Sequence, residues 1–179
     1  LTRGDSVTLS TIHSTVHLGA HADGPNHYGM GGRAIDEQPL DLYVGRCQVI
    51  RTQAPPGTLI GVDDLGTKEI DAERVLIATG SYPDPDRWTP EFNGLEPDLI
   101  DFLASHEVRL VGVDTPSVDS AESKDLPTHA RFFAHDMAII EGLVLTNVDV
   151  GFYELIALPL RLGGFDGSPV RAILRNLTR

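Results

Sequence analysis

The sequence has little of several features that would place it in other broad classes of protein. A single cysteine, Cys47, excludes an intramolecular disulfide and fits a core residue in a reducing cytoplasm. Only 14 Lys and Arg stand against 26 Asp and Glu, and the formal charge of −12 argues against nucleic acid or an anionic membrane as partner. No apolar run is long enough to span a membrane, and no basic and then apolar signal segment is present. These absences predict a cytoplasmic protein, and the excess of acidic residues is explained by solubility.

The length and composition are typical of one domain. The chain has 179 residues, of which 41% are hydrophobic, so it can bury a core of ordinary size. It shows no internal repeat, low-complexity segment or linker that would divide it. We therefore predict a single domain over residues 1–179, and the start at Leu1 without Met predicts that an N-terminal segment is missing.

The densest group of metal-ligating side chains lies within eleven residues near the N-terminus and consists of His17, His21, Asp23 and His27. Their offsets from His17 are 0, 4, 6 and 10, so an extended chain would place all four on one face. A straight strand would separate His17 from His27 by roughly 33 Å, which is too far for one metal. Gly24 and Pro25 are suited to bend the chain between them.

Imidazole and carboxylate together are the ligands of zinc, manganese or iron in an open, catalytic type of site. No cysteine lies near this group, which argues against a structural thiolate site. The alternative is that these are surface histidines of a loop, which is the better interpretation for any single one. The density and the shared parity of the group favour a metal site.

The apolar pattern predicts a domain that mixes α and β structure. A Val-, Thr- and Ser-rich strand is predicted over residues 7–16, leading to His17, and further strands over 47–52, 74–78, 108–113 and 170–177. A short helical or turn segment is predicted over 62–70 and an amphipathic or buried segment over 152–160. Helices are predicted over 97–106 and from Pro127 onwards, with Thr128 as N-cap and His129 in the first turn.

Glu141 interrupts an apolar run over residues 138–144. A buried carboxylate is costly unless it is paired or bound to a metal. The alternative is a glutamate exposed at a sheet edge, and the pattern alone leaves both interpretations open.

Two loops are candidates for pocket walls. The Pro-rich loop over 81–90 carries Tyr82 and Trp88, which either line a site or pack back onto the domain. The Gly-rich segment over 28–33 is either a lid or a hairpin connection. Asp114, at a predicted strand end, is expected to cap a turn.

The stretch from His17 to His27 resembles the H-x-G-x-H-x-D-x-P-x-H signature of the metal-dependent cyclase family, whose best-known members are bacterial kynurenine formamidases (arylformamidases). Similar segments continue through residues 112–117, His129, 137–142 and 154–160, so the resemblance covers nearly the whole chain. It implies an α+β fold of the swivelling type, with a β-barrel-like mixed sheet core flanked by helices, assembled as a homodimer.

The resemblance also implies a role for each matching side chain. The metal ligands would be His17, His21, Asp23, His129 and Glu141. The first three match the ligands of a first zinc ion, Asp23 and Glu141 match carboxylates that bridge to a second, and His129 completes the second. His27 matches the proton donor and acceptor. Two zinc ions per chain are therefore expected, with manganese as the alternative metal.

The sequence is compatible with three functions. The first is hydrolysis of N-formyl-L-kynurenine to L-kynurenine and formate in tryptophan catabolism, by metal-activated hydroxide with His27 as proton shuttle. The second is hydrolysis of another amide, such as isatin, often with manganese. The third is a non-catalytic metal-binding or regulatory domain. A serine nucleophile is disfavoured because the chain has no G-x-S-x-G motif.

Overall fold

The computed structural model describes residue 4 and residues 6–177, and short strands dominate this part of the chain. The strands are β1 (His21–Asp23), β2 (Val44–Arg51), β3 (Leu59–Ile60), β4 (Arg74–Ala78), β5 (Gly94–Leu95), β6 (Leu110–Val113), β7 (Ala138–Glu141), β8 (Gly151–Ile156), β9 (Gly167–Pro169) and β10 (Ile173–Asn176). The α-helices are α1 (Pro97–Ser105) and α2 (Pro127–Ala134), and 3-10 turns cover Pro25–His27, Ile35–Glu37, Leu40–Tyr43 and Val62–Asp64. Neither α-helix is both long and apolar enough to cross a bilayer.

Eight strands form one mixed sheet in the order β10-β8-β2-β4-β6-β7-β1-β9, and β3 pairs with β5 separately. The central strands β2, β4, β6 and β7 run parallel, whereas β8, β10, β1 and β9 add to them in antiparallel fashion. The sheet curls into a half-barrel whose two edges are β10 and β9. The predicted α+β fold, with a barrel-like mixed sheet flanked by helices, is confirmed.

Apolar side chains cover both faces of the central strands, which is why these strands are almost continuously hydrophobic. Every residue of β4, β6 and β7 is buried. On one face Leu99 and Leu103 of α1 pack with Phe132 of α2 against the sheet. On the other face the core includes Cys47, and burial raises the pKa of its thiol to about 11. The prediction that Cys47 is a core residue is confirmed.

Most of the predicted elements exist with shifted ends, and the short helical or turn segment predicted over 62–70 contains a 3-10 turn at Val62–Asp64. Two predictions are wrong. Residues 7–16 form no strand and all but Val16 are exposed, because no strand in the described part of the chain pairs with them and β-propensity alone does not hold an extended chain. The N-cap of α2 is Leu126 and not Thr128, whose hydroxyl instead donates to the Leu95 carbonyl at 2.6 Å.

The short strand β1 lies between β7 and β9, and this pairing joins distant parts of the chain. Its register places His21 opposite Glu141 on one side and Asp23 opposite Gly167 on the other. The turn after β7 comes equally close, since a Cβ built on Gly142 would lie 2.2 Å from the Gly19 carbonyl oxygen. The segment that carries the first histidines is therefore held from both sides.

We expect Gly142→Ala to destabilise the protein by more than the matched change Gly80→Ala. Both glycines are left-handed, with φ of +66° and +68°, but a Cβ on Gly80 meets nothing within 4 Å. Gly80→Ala should therefore lose only the conformational cost of about 1–2 kcal/mol. Urea unfolding of both variants measures the difference, and equal losses would show that the close approach to Gly19 is not constraining.

Candidate metal centre

Two buried carboxylates, Asp23 of β1 and Glu141 of β7, each face two buried imidazoles. Asp23 Oδ1 lies 3.4 Å from His21 Nε2, and Asp23 Oδ2 lies 3.5 Å from His129 Nε2. Glu141 repeats the arrangement, with Oε2 3.4 Å from His21 Nε2 and Oε1 3.5 Å from His129 Nε2. Each carboxylate therefore presents one oxygen to each imidazole.

This arrangement fits bound metal better than hydrogen bonding. His21 Nε2 and Asp23 Oδ2 are buried without a hydrogen-bond partner, and 3.4–3.5 Å is long for a charge-assisted hydrogen bond. Two ligand atoms at 2.0–2.2 Å from one tetrahedral metal are about 3.3–3.6 Å apart. Two overlapping groups could each hold an ion: the first is His17, His21 and Asp23, and the second is Asp23, His129 and Glu141.

The pKa shifts of the buried side chains indicate a site that stabilises positive charge. Burial alone would lower the pKa of His21, but the nearby carboxylates of Asp23 and Glu141 outweigh burial and raise the pKa to about 10. Burial likewise opposes protonation of His129, yet Asp119 and Asp23 raise its pKa to about 10. The surrounding histidines hold the pKa of Asp23 well below its usual range despite burial. Burial and the charge of Asp23 raise the pKa of Glu141. In the metal-free protein, the protons on His21 and His129 supply the positive charge that bound metal ions would otherwise supply.

A second layer of acceptors orients the two imidazoles. His129 Nδ1 lies 2.7 Å from Asp119 Oδ2, and the backbone N–H groups of Thr128 and His129 donate to the same carboxylate. Asp119 thus also takes two of the free N–H groups at the start of α2. His21 Nδ1 lies 2.8 Å from the Gly19 carbonyl oxygen. In both residues Nδ1 carries a hydrogen, so Nε2 is the nitrogen that faces the carboxylates; it carries a proton in the metal-free protein and would present its lone pair to a bound metal.

His17 joins this cluster at one side and His27 at another. His17 Nδ1 lies 3.0 Å from Asp23 Oδ1, and its pKa is raised because Asp23 and Asp166 outweigh its burial. The ring of His27 stacks on that of His17 with centroids 4.0 Å apart. Asp166 Oδ2 lies 3.2 Å from both His17 Nε2 and His27 Nδ1.

The loop after β4 forms a cavity of about 150 Å³ beside His17 and His21. Tyr82, Trp88, Pro116 and Leu143 are among its walls, so the predicted role of this loop in a pocket agrees with the geometry. Asp114 holds the base of the loop by accepting hydrogen bonds from the backbone N–H groups of residues 79 and 80. It caps this turn, as its position at a strand end predicts.

The Gly-rich segment over 28–33 lies against the cluster and is not a hairpin between strands. The ring of Tyr28 is 5.0 Å from that of His129, and burial raises the pKa of its hydroxyl. A Cβ on Gly29 would lie 2.1 Å from the Phe133 ring, and one on Gly32 would lie 2.4 Å from the Pro25 backbone. The glycines therefore let this segment pack closely on its surroundings.

The structure brings all six predicted site residues together: four of them lie around Asp23, and His27 stacks at the margin. The sequence reasoning missed Asp119 and Asp166. Neither has a spacing to the histidines that marks it, because strand pairing or the start of a helix places it there.

Comparison with known proteins places this geometry in a family. The "Putative cyclase" family model matches residues 4–120, and the chain belongs to that family. A solved "potential metal-dependent hydrolase with cyclase activity" is 34% identical, with a TM-score of 0.81 over 92% of this chain and 81% of the other.

Two further solved structures extend the comparison. A predicted metal-dependent hydrolase from Bacillus stearothermophilus is 35% identical, with a TM-score of 0.77 over 94% of this chain and 82% of its own. Isatin hydrolase A from Labrenzia aggregata shares the fold at 22% identity, with a TM-score of 0.76 over 96% of this chain and 78% of its own. Family membership and the side-chain cluster together support a metal-dependent hydrolase.

We expect the metal-free protein to lose stability as the pH rises from 7 to 10. A histidine whose pKa is raised on folding stabilises fully below its unfolded value of about 6.5, and that stability is lost as the pH rises through the folded value. For His21 and His129 the folded value is about 10. Urea unfolding of chelator-treated protein across this range measures the loss. His21→Gln and His129→Gln should each make the loss smaller, and an unchanged slope in both variants would contradict the assignment.

Proposed function

We propose that this protein is a metal-dependent arylformamidase that hydrolyses N-formyl-L-kynurenine to L-kynurenine and formate. The observation that carries the hydrolase is the pair of buried carboxylates, each facing two imidazoles, beside a cavity with aromatic walls. The formyl substrate rests on the resemblance of residues 19–28 and 154–160 to the formamidase branch of the family.

Two zinc ions per chain are the proposed cofactors, with manganese as the alternative. The ligands would be His17, His21, Asp23, His129 and Glu141, with Asp23 and Glu141 shared between the ions. The geometry supports sharing because the two oxygens of each carboxylate face different imidazoles. When bound, two such ions lower the pKa of water towards 7 and polarise the carbonyl group that is attacked.

His27 is the proposed proton shuttle. An amide nitrogen leaves readily only when it is protonated, and an imidazole is the side chain suited to accept and return a proton near neutral pH. In support, His27 lies outside the Asp23 cluster, with its ring stacked on His17 and its side chain about one third exposed. His27 is therefore close enough to transfer a proton at the metal centre, and it is not one of the proposed ligands.

The cavity beside His17 and His21 is the proposed place for the aromatic ring of the substrate. Tyr82 and Trp88 pack edge to face with ring centroids 6.5 Å apart, and a flat ring fits such walls. Pro116 and Leu143 narrow the same space. A formyl carbon carries only hydrogen, so it can enter where a larger acyl group would collide.

Isatin is the alternative substrate. Solved isatin hydrolases share the fold at 21–22% identity, and one of them is bound to the product analogue thioisatinate. Isatin is also a flat aromatic amide, so the same cavity is compatible with it.

Assembly as a homodimer stays a prediction, and light scattering of the purified chain measures it.

We predict opposite phenotypes for a shared ligand and for the shuttle. Asp23→Ala and Glu141→Ala should both lose metal, because each carboxylate is proposed to bind both ions. His27→Ala should keep about two equivalents and lose roughly 10²–10⁴-fold in turnover, the usual contribution of general acid–base catalysis. Elemental analysis beside a turnover assay measures both. Full metal content in both carboxylate variants would refute the two-ion site, and loss of metal in His27→Ala would make His27 a ligand.

The substrate prediction is tested on the metal-loaded protein with three compounds side by side. We expect N-formyl-L-kynurenine to be hydrolysed far faster than N-acetylkynurenine, because the extra methyl group must fit against the metals and Pro25. Faster opening of isatin than of the formamide would favour the alternative. No hydrolysis of any of the three by fully loaded protein would favour the non-catalytic domain.

A further inference from the structure

The loop before β9 carries Asp166 to the margin of the metal centre. The backbone N–H of Gly24 donates to the Asp166 carbonyl at 2.8 Å and so continues the pairing of β1 with β9. The N–H of Gly164 donates to Asp36 Oδ1, which fixes the other side of the loop. The position of the Asp166 backbone is thus determined by the sheet and not by the histidines.

One oxygen of Asp166 contacts two imidazoles at the same time. Oδ2 lies 3.2 Å from His17 Nε2 and 3.2 Å from His27 Nδ1, and the two rings stack at an angle of 29°. Gly167 makes the approach possible, because a Cβ at that position would lie 2.8 Å from His17 Cε1. A carboxylate only accepts hydrogen bonds, so each of the two ring nitrogens must carry a hydrogen.

A neutral imidazole has one N–H, so a hydrogen on the nitrogen that faces Asp166 leaves the opposite nitrogen as the one that can bind a metal or accept a proton. For His17 the opposite nitrogen is Nδ1, which lies 3.0 Å from Asp23 Oδ1 on the side of the ligand cluster; a proton joins these two atoms in the metal-free protein, and a bound metal would replace it. For His27 it is Nε2, the nitrogen opposite Asp166. The same carboxylate oxygen thus faces a proposed ligand and the proposed shuttle.

We propose that Asp166 is a positioning residue that holds His17 in the Nε2–H form and His27 in the Nδ1–H form. The inference rests on the proposed function for the roles of the two histidines, but the placement of the hydrogens is independent of it. A metal ligand presents its lone pair when its other nitrogen donates to a carboxylate, and loss of such a partner typically reduces metal affinity or activity by 10–100-fold. One oxygen of Asp166 would thus fix the position of a ring hydrogen in the proposed ligand His17 and in the proposed general base His27.

The competing interpretation is that Asp166 is itself a ligand. His17, His27 and Asp166 offer three ligand atoms within 4.8 Å of one another, so a further ion could in principle lie there. Stacked rings that share one carboxylate oxygen are explained by two hydrogen bonds alone. Metal content separates the two interpretations.

The experiment compares Asp166→Ala, Asp166→Asn and the control Asp71→Ala in the zinc-loaded full chain. Asp71 is also an exposed aspartate, but it pairs with Arg46 at 2.8 Å, away from the histidines. Long-range ¹⁵N–¹H spectra of histidine-labelled protein report which ring nitrogen carries the hydrogen. We expect Asp166→Ala, assayed in excess zinc so that a 10–100-fold weaker affinity still leaves the site full, to shift His27 from Nδ1–H towards Nε2–H, with metal content unchanged and kcat lowered about 10–100-fold at a nearly constant KM.

Asp166→Asn should retain more of the original tautomer and activity, because its amide oxygen can still accept from both rings, and Asp71→Ala should match the wild type. Unchanged histidine tautomers in Asp166→Ala would overturn the proposal, as would loss of one metal equivalent, which would make Asp166 a ligand. A tautomer shift in a protein that hydrolyses no amide would support the positioning role while refuting the proposed function.

Discussion

The structure depends on the burial of two carboxylates side by side. Asp23 is 1% exposed and Glu141 is 4% exposed, and like charges in such an environment are costly unless cations compensate them. The imidazoles of His21 and His129 supply that compensation as protonated groups or as ligands of metal. Three further contacts hold three of these four side chains: Asp119 contacts His129, the Gly19 carbonyl contacts His21, and the Val118 N–H donates to Glu141 Oε1 at 2.8 Å.

The pairing of strands in the sheet determines where the buried carboxylates of Asp23 and Glu141 lie. Because β1 pairs with β7 on one side and β9 on the other, the first histidines, the buried glutamate and Asp166 meet at one end of the half-barrel. The cavity is formed by loops that follow parallel strands, with Asp114 holding the turn after β4. A rigid core of central strands thus carries a site made of turns and strand ends.

Much of the fold and of the candidate site could be predicted from the sequence because the signals were local. The even spacing of His17, His21 and Asp23 favours a metal site, and the acid within the apolar run of β7 marks a side chain that is either buried with a partner or exposed at a sheet edge. Helix α1 was predictable from its first proline and its apolar face. The strand predicted over 7–16 failed because β-propensity depends on a partner strand, which the sequence does not show.

The partners that orient the histidines were beyond sequence reasoning for the same physical reason. Asp119 and Asp166 reach their imidazoles through tertiary contact, and no periodicity links them to the motif. Only family resemblance, and not spacing, assigned roles to His129 and Glu141 before the fold was known. Pairing between strands brings the short segments that resemble the family next to one another, so that their side chains form one contiguous cluster.

The wide separation in sequence between β1 and its neighbours has a consequence for biosynthesis. His17 and Asp166 are 149 positions apart, so their contact closes a loop that contains almost the entire domain. Such non-local contacts form late and slowly during folding, after the helices and the parallel core strands can assemble. A ribosome-bound chain would therefore expose its first histidines to solvent through most of translation, when competing ions could bind them. The enclosed centre can exist only once β9 has paired with β1, so metal binding within it requires synthesis of nearly the whole domain.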